Sequence, residues 1–359
     1  MSEALWVHTP GGYRVATDEV LALMEWLDCF HRRAANLRGE LERHHVYAWA
    51  PALAQAHTTA GEMEDWSRWM SSSLDTYTRE VAAHERTRTA LFDRPRDTAL
   101  SAMSAYLTGG GPLTKGGLAP GAAAALGDYV PRAHIEEVSL QHDTTIARGV
   151  AERIARIPDT DTPIRVDTYR HPDGSAHVEV FIAGTAEFNR HSGGSAFDMS
   201  SNLALVAGLS SASMMATQKA MAVAGVRKTD SMVFVGHSQG GAIAARLAES
   251  GRYTTAGLIT IGAPTGSAPI TGNYPALLIE HRDDVVPQLG GAREDTNAYV
   301  VTARSDALPG DVVGAHDREA YLTTAQRVDD SPAEELQRLT QSLPEGLSGE
   351  TRVFREREG

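Results

Sequence analysis

A serine at the apex of a glycine-rich turn is the feature of this sequence with the clearest chemical potential. Ser238 has glycines two positions before and after it, Gly236 and Gly240, within the sequence Gly-His-Ser-Gln-Gly-Gly. The apolar run 232–235 before the turn predicts a strand, and the alanine-rich stretch after it predicts a helix. A serine hydroxyl attacks an acyl group only when it is held in the open beside a base, which a sharp strand–turn–helix achieves. The pattern also arises by chance in ordinary turns, but its flanks favour Ser238 as a nucleophile.

Two downstream loops carry the side chains that such a serine needs as partners. Asp284 follows the predicted strand 277–280, and His316 follows the predicted strand 299–303 by way of a loop. In a parallel sheet the carboxyl ends of the strands meet at one edge, so these loops should converge there. His316 would take the proton of Ser238 during attack, and Asp284 would hold the imidazole in the productive tautomer. The chain order Ser, Asp, His matches that of the hydrolases.

Other residues compete for the same roles. Asp283 is the alternative acid, because neighbouring side chains of an extended segment point to opposite sides and only one of them can face His316. Asp284 is favoured because it begins an Asp-Val-Val-Pro turn, and the other carboxylate would then be a surface group paired with Arg282. His281 and His237 are alternatives to His316, which would otherwise be an ordinary loop histidine.

The oxyanion formed by attack on an ester needs two preorganised hydrogen-bond donors. The backbone N–H of Gln239, at the start of the predicted helix, would be one of them. The other is expected in the loop after an earlier strand, and the predicted strand 177–182 is followed by Gly184 and Thr185. Thr185 is therefore the second candidate for the oxyanion hole, with an ordinary turn as the alternative.

Strands and helices alternate along most of the second half of the chain, which predicts an α/β fold with a mostly parallel sheet covered on both faces. Predicted strands span residues 164–169, 177–182, 232–235, 258–261, 277–280 and 299–303, and predicted helices span residues 135–157, 203–224, 239–249 and 318–328. A Pro-Asp-Gly turn at 172–174 predicts a hairpin between the first two strands. After residue 331 we expect a charged helix and a frayed tail without a function.

The N-terminal third predicts a separate helical domain. Apolar residues recur at alternating steps of three and four through 20–41 and again through 53–81, so each stretch predicts a long helix with a heptad seam. A short connection would join them as an antiparallel hairpin. The sequence thus divides into the N-terminal hairpin domain (1–107), a Gly-rich linker (108–127), an α/β-hydrolase catalytic domain (128–330) and a charged C-terminal tail (331–359).

Composition excludes several classes of function. A formal net charge of −13 argues against binding to nucleic acid or to anionic membrane surfaces. Cys29 is the only cysteine, so an intrachain disulfide and a thiolate metal cage are excluded. The 14 histidines show no His-Glu-x-x-His spacing, and we expect neither a metal nor a cofactor. The first 20 residues lack a signal-peptide pattern, and no apolar run is long enough for membrane insertion, which favours the cytoplasm.

Taken together, the motifs resemble those of α/β-hydrolases of the fungal-type triglyceride lipase group, also called class 3 lipases. The resemblance covers residues 160–328 and is carried by Gly184–Thr185, residues 236–241, the Ile-Gly-Ala-Pro sequence 261–264, the Asp-Val-Val-Pro sequence 284–287 and His316. It implies a serine ester hydrolase, with Thr185 beside the oxyanion hole and a lid at 186–202. Residues 187–201 depart from the family, because they are rich in Gly, Ser and polar groups where an apolar lid helix is expected. The substrate is therefore expected to be a small-molecule or lipid ester, and the departure argues against long-chain triglyceride and leaves smaller or more soluble esters open.

Residues 10–90 resemble the small helical-hairpin substrates of type VII secretion, which also carry tryptophans near their bend, here Trp49, Trp66 and Trp69. Neither Trp49 nor Trp66 begins the Trp-x-Gly turn of that family. The resemblance implies export by a type VII-like route. It also implies a hairpin that binds a protein partner or a second copy of itself.

The sequence as a whole predicts a lipase-like or esterase-like serine hydrolase that cleaves carboxylic esters through an acyl-enzyme on Ser238. A thioesterase or an acyltransferase would use the same Ser-His-Asp triad and differ in the substrate or in the acceptor of the acyl group. In the remaining alternative the N-terminal hairpin is the main functional element, as a partner-binding module or an exported effector.

Overall fold

The computed structural model describes residues 5–9 and 12–16, short stretches between 29 and 68, residue 126, and residues 129–357 with gaps at 186–194, 267, 292, 294–295, 309–310, 332–333 and 342–347. The chain divides into two compact units, residues 1–5 with 15–92 and residues 6–14 with 93–359. In the first unit the described residues between 29 and 68 are helical. The connection of the predicted hairpin, and the predicted linker apart from residue 126, lie outside the described residues.

The described strands form one mixed sheet in the order β2-β1-β9-β8-β7-β6-β5-β4-β10-β3. They are β1 (Leu5–Thr9), β2 (Gly12–Ala16), β3 (Ile135–Thr145), β4 (Ile164–Arg170), β5 (Ala176–Ile182), β6 (Ser231–His237), β7 (Thr254–Ile261), β8 (Ala276–His281), β9 (Tyr299–Ala303) and β10 (Ser348–Glu356). Neighbouring strands from β5 to β9 pair in parallel, whereas β4 and β10 pair antiparallel with their neighbours, as β1 does with β9. The parallel centre is therefore flanked by antiparallel strands.

Helices cover both faces of this sheet. The described helices of the second unit are α1 (Gly149–Ala155), α2 (Met199–Val206), α3 (Ala212–Val223), α4 (Gln239–Glu249), α5 (Val286–Leu289), α6 (Val312–Ala315), α7 (Arg318–Asp329) and α8 (Glu334–Gln341). On one face, apolar residues of α3 and α4 pack with Val178, Val180 and Phe234 in a buried core. On the other face α1 packs with α7, and Arg153 of α1 donates to Glu179 of β5 at 2.8 Å. The predicted α/β fold is confirmed at this level.

The stretch 135–157, predicted as one helix, forms β3 and α1 instead. β3 pairs along its length with β10, more than 200 residues later in the chain. Arg352 of β10 donates to Glu137 of β3 at 3.0 Å, and Arg355 pairs with Glu136. Glu136 and Glu137 therefore belong to cross-strand ion pairs, which stabilise an antiparallel ladder.

The C-terminal stretch also differs from the sequence-based expectation. The predicted charged helix is present as α8, but residues 348–356, predicted as part of a frayed tail, form β10 between β4 and β3. Phe354 is fully buried in the core, and Thr351 donates to the buried carboxylate of Asp167 at 2.7 Å. This strand is thus part of the folded unit.

The predicted helix 203–224 is divided into α2 and α3. The chain turns at Gly208, whose φ of +81° is a conformation that residues with a Cβ rarely adopt. Ser211 then caps α3 by accepting from the backbone N–H of Met214 at 3.2 Å. The turn directs both helices towards the edge of the sheet at which β5 and β6 end, where Asn202 of α2 and Ser213 of α3 contact Thr185 and Gln239 respectively.

Candidate active site

Ser238 occupies a strained turn between β6 and α4. Its φ of 54° and ψ of −122° lie outside the regions that a residue with a Cβ normally adopts. The backbone N–H of Ser238 donates to Ile261 O of the neighbouring strand at 2.9 Å, and its carbonyl accepts from the first turn of α4. These bonds hold the side chain at the carboxyl edge of the parallel strands, in the geometry of a nucleophile elbow.

The two glycines that flank the serine are required by close packing of the backbone. A Cβ on Gly236 would lie 2.3 Å from the carbonyl of Gly240, and a Cβ on Gly240 would lie 2.2 Å from Ile182 O. Distances this short cannot be relieved by a side-chain movement, because the neighbouring atoms belong to the backbone. The glycines therefore allow α4 to start directly against β5 and β6.

The structure brings Ser238, His316 and Asp284 into one hydrogen-bonded chain. His316 Nε2 lies 2.9 Å from Ser238 Oγ, and His316 Nδ1 lies 2.7 Å from Asp284 Oδ2. Because a carboxylate only accepts, Nδ1 donates to Asp284 and the unprotonated Nε2 accepts from the serine hydroxyl. The side chain of Asp284 is fully buried, whereas 15% of the His316 side chain is exposed. The His316 ring can therefore be reached from solvent, while the Asp284 carboxylate is shielded from water.

Asp284 is held by two further donors. The backbone N–H of Val286 donates to Oδ1 at 2.8 Å, and the hydroxyl of Tyr321, on α7, donates to Oδ2 at 2.8 Å. Burial, and then the charge of Asp284, raise the pKa of Tyr321 well above its ordinary value, so its hydroxyl stays protonated. Tyr321 was not among the candidates from the sequence, because nothing distinguishes it from other apolar positions of a helix.

The structure places Asp283 away from the triad. Its two carboxylate oxygens accept from the backbone N–H and the hydroxyl of Ser305, at 3.0 and 2.7 Å. Ser305 lies just after β9, at the beginning of the loop that leads to His316. Asp283 therefore anchors that loop, and of the two adjacent carboxylates only Asp284 contacts the histidine.

His281 and His237 support the triad without joining it. His281 Nδ1 lies 2.8 Å from Ala315 O and its Nε2 lies 2.9 Å from the hydroxyl of Thr324, so both of its ring nitrogens are occupied. His237 Nε2 donates to the backbone carbonyl of His316 at 2.9 Å. Burial lowers the pKa of His281, and burial together with the neighbouring His316 lowers the pKa of His237 to about 3. Both are neutral supports for the loop that carries the base.

The two candidates for the oxyanion hole lie side by side next to the serine. A Cβ on Gly184 would lie 3.1 Å from Ser238 Cβ, so the loop after β5 lies against Ser238. Thr185, the next residue, donates from its hydroxyl to Gln239 Oε1 at 3.3 Å. Gln239 is the first residue of α4, where backbone N–H groups have no partner within the helix. Its N–H is therefore free of helical bonds, as an oxyanion donor must be.

Residues 186–194 of the predicted lid lie outside the described residues, whereas its last part is described. There, Glu356 of β10 accepts from the hydroxyl of Ser195 and from the backbone N–H of Ala196. α2 follows and brings Asn202 to within 3.5 Å of the Thr185 hydroxyl. Asn202, like Ser213 of α3, was missed by sequence reasoning because it lies on a helix far from any motif.

Two other kinds of feature are absent from the described part of the chain. Within it, no three His, Cys, Asp or Glu side chains are arranged so that they could hold a metal ion. Among the same residues, no helix has the length and apolar character needed to cross a membrane.

Comparison with known proteins found no matching family model, no matching curated protein and no matching solved structure. The resemblances to class 3 lipases and to type VII secretion substrates therefore stay predictions. We therefore infer the function from the geometry of the site alone.

Proposed function

We propose that this chain is a serine hydrolase that cleaves carboxylic esters through an acyl-enzyme on Ser238. The observation that carries the proposal is a pair of linked hydrogen bonds. One joins Ser238 Oγ and His316 Nε2 at 2.9 Å, and the other joins His316 Nδ1 and Asp284 Oδ2 at 2.7 Å. A serine in a strained turn, a histidine in the accepting tautomer and a buried carboxylate form the constellation that activates a hydroxyl for acyl transfer.

In the first half of the reaction, Ser238 Oγ attacks the carbonyl carbon of the ester while its proton passes to His316 Nε2. The imidazolium that forms is stabilised by the adjacent charge of Asp284. The tetrahedral intermediate then collapses, and His316 gives the same proton to the departing alcohol. The acyl group remains on Ser238 as an ester.

In the second half, a water molecule takes the place of the alcohol. His316 removes a proton from the water as it attacks the acyl-enzyme, and returns that proton to Ser238 Oγ when the acid leaves. In both halves the negative charge on the carbonyl oxygen would be met by the backbone N–H of Gln239 and by Thr185. One such donor typically contributes about 10²- to 10³-fold to the rate.

The order of the site residues along the sheet supports an α/β-hydrolase arrangement for the fold. The nucleophile follows β6, the acid follows β8 and the base follows β9, all at the carboxyl edge of the parallel strands. Ligands of parallel α/β sheets bind at this edge. An ester bound at this edge would lie beside both Ser238 and the proposed oxyanion donors.

Labelling with a fluorophosphonate probe tests the proposal directly, because the probe phosphonylates only an activated serine. We expect labelling of the wild type, none in Ser238→Ala, and much slower labelling in His316→Ala. Ser210→Ala, which changes an exposed serine in the turn before α3, should label like the wild type. A wild type that stays folded but unlabelled would refute the proposal.

A panel of esters and thioesters with short and long acyl chains then identifies the substrate class. Hydrolysis of any of them should fall by roughly 10⁴-fold or more in Ser238→Ala. Adding alcohols as competing acceptors separates a hydrolase from an acyltransferase, since only an acyltransferase would form the new ester in preference to the free acid.

A further inference from the structure

The side-chain amide of Gln239 lies between two hydroxyl groups. Thr185 Oγ1 is 3.3 Å from Gln239 Oε1, and Ser213 Oγ is 3.2 Å from Gln239 Nε2. Gln239 and Ser213 are fully buried, so water does not compete for these bonds. The proposed mechanism uses the backbone N–H of Gln239 and leaves this buried side chain without a role.

The hydrogen bonds of this amide can run in either direction. A hydroxyl both donates and accepts, whereas each end of an amide does only one of the two. A half-turn of the Gln239 amide would exchange Oε1 and Nε2 with little movement of other heavy atoms, so that Gln239 donates to Thr185 and accepts from Ser213. In the first arrangement Oε1 faces Thr185, and in the second, after the half-turn, Nε2 faces Thr185. Ser201 Oγ lies 2.8 Å from Ser213 Oγ, so it can accept from Ser213 in the first arrangement and donate to Ser213 in the second.

The direction of these bonds decides where the Thr185 proton points. In the first arrangement Thr185 donates to Gln239, so the proton is not available to an oxyanion. In the second, Thr185 accepts from Gln239, and Asn202 Nδ2 at 3.5 Å approaches as a second donor. A hydroxyl oxygen that accepts from amide N–H groups must direct its own proton elsewhere. Thr185 follows Gly184, which lies against Ser238, so the proton can then reach the reacting carbonyl oxygen.

We propose that the side chain of Gln239 is a positioning residue that controls whether the Thr185 hydroxyl donates to the oxyanion. This inference rests on the proposed function and deepens it, because it adds a residue that acts on the transition state only through Thr185. Gln239 and Thr185 must therefore show strong energetic coupling in kcat. If the Gln239 side chain merely filled space, its removal would change kcat by the same factor with or without the Thr185 hydroxyl.

The test is a double-mutant cycle on kcat, measured with whichever ester the wild type hydrolyses. Thr185→Val removes the hydroxyl at nearly constant volume and should lower kcat by about 10²-fold. Gln239→Glu introduces a carboxylate that can only accept, so it should hold the Thr185 proton and lower kcat by about tenfold or more, with KM little changed. Gln239→Met, whose thioether cannot donate and accepts only weakly, should lower kcat several-fold. It keeps the test decisive if the charged variant fails to fold.

The deciding comparison is made in the Thr185→Val background. There we expect the uncharged Gln239→Met to change kcat by less than about twofold, because the hydroxyl on which Gln239 acts is gone. Equal reductions of kcat in the two backgrounds would overturn the inference. Gln326→Glu makes the same chemical change at an exposed position of α7, and it should leave kcat unchanged in both backgrounds.

Failure of this inference is distinguishable from failure of the proposed function. If the wild type hydrolyses esters and Ser238→Ala abolishes the activity, the triad stands, and additive effects in the cycle would reject only the role of Gln239. If the folded wild type neither hydrolyses any ester nor reacts with a fluorophosphonate, the proposed function fails, and the role of Gln239 fails with it.

Discussion

The hydroxyl of Tyr321 donates to Asp284 Oδ2 at 2.8 Å, and the same oxygen accepts from His316 Nδ1 at 2.7 Å. Tyr321 OH also accepts from the backbone N–H of His281, at the end of β8, at 3.0 Å. The hydroxyl of Tyr321 thus connects α7 with Asp284 and with the end of β8. Because Tyr321 is completely buried, no water can replace these bonds when the hydroxyl is removed.

Tyr321→Phe should therefore weaken both the site and the fold. We expect kcat to fall by about tenfold, and the free energy of unfolding to fall by about 1–3 kcal/mol, because a buried carboxylate and a buried N–H each lose a partner. Steady-state kinetics and urea denaturation measure the two effects. Tyr253→Phe, at a partly exposed tyrosine whose ring lies against Phe234, serves as the control. Unchanged kcat in Tyr321→Phe would show that the hydroxyl does not support the acid.

The same substitution should affect mainly kcat at Asp284 and mainly stability at the adjacent Asp283. Asp284→Asn should lower kcat by about 10⁴-fold, because an amide in place of the acid favours the wrong tautomer of His316. Asp283→Asn should leave kcat within a few-fold and lower stability by about 1–2 kcal/mol, since it weakens the bonds to Ser305. If Asp283→Asn proved the more damaging to kcat, the assignment of the acid would be wrong.

Gly240 should tolerate no side chain, because a Cβ there would lie 2.2 Å from Ile182 O. We expect Gly240→Ala to lose several kcal/mol of stability, or to fail to fold, since β5 and α4 would have to separate. Gly251→Ala is the matched control: its φ of +65° is strained for alanine, but nothing lies within 4 Å of the new Cβ. That substitution should cost only about 1–2 kcal/mol. Equal melting temperatures for the two variants would contradict the close approach.

The buried His237 should make the protein less stable in mild acid. Its folded-state pKa is about 3, whereas an unfolded histidine titrates near 6.5. Below about pH 6.5 the unfolded chain therefore binds a proton that the folded chain does not. The stability contributed by neutral His237 is complete above about pH 6.5 and declines by up to about 1.4 kcal/mol per pH unit as the pH falls towards 3.

Urea denaturation at pH 7 and pH 5 measures this effect. The free energy of unfolding of the wild type should fall more between these two values than that of His237→Gln, which has no proton to bind at this position. The pKa of His281 is lowered by burial as well, so some pH dependence should remain in the variant. His142→Gln, at an exposed residue of β3, should behave like the wild type. Parallel pH curves for wild type and His237→Gln would contradict the prediction.

The errors of sequence-based reasoning at residues 135–145 and 348–356 share one physical cause, which is pairing between distant segments. Residues 135–145 were predicted to be helical, and they form a strand through the ladder with β10, over 200 residues away. The sequence favoured Asp284 over Asp283, and the contact that holds Asp283 elsewhere comes from Ser305, 22 residues away. Tyr321 and Asn202 likewise gain their contacts from how α7 and α2 pack, and short-range patterns carry no information about that.

By itself, the sequence determined the strand, the turn and the helix around Ser238, and it led to Asp284 and His316 as candidate partners. These features depend on consecutive residues and on the rule that parallel strands end at one edge, so local patterns are sufficient to predict them. Only the tertiary structure decided which carboxylate contacts His316, where Tyr321 and Gln239 direct their hydrogen bonds, and that the last strand completes the sheet. Each of these depends on atoms brought within about 3 Å by packing of segments that are far apart in the chain.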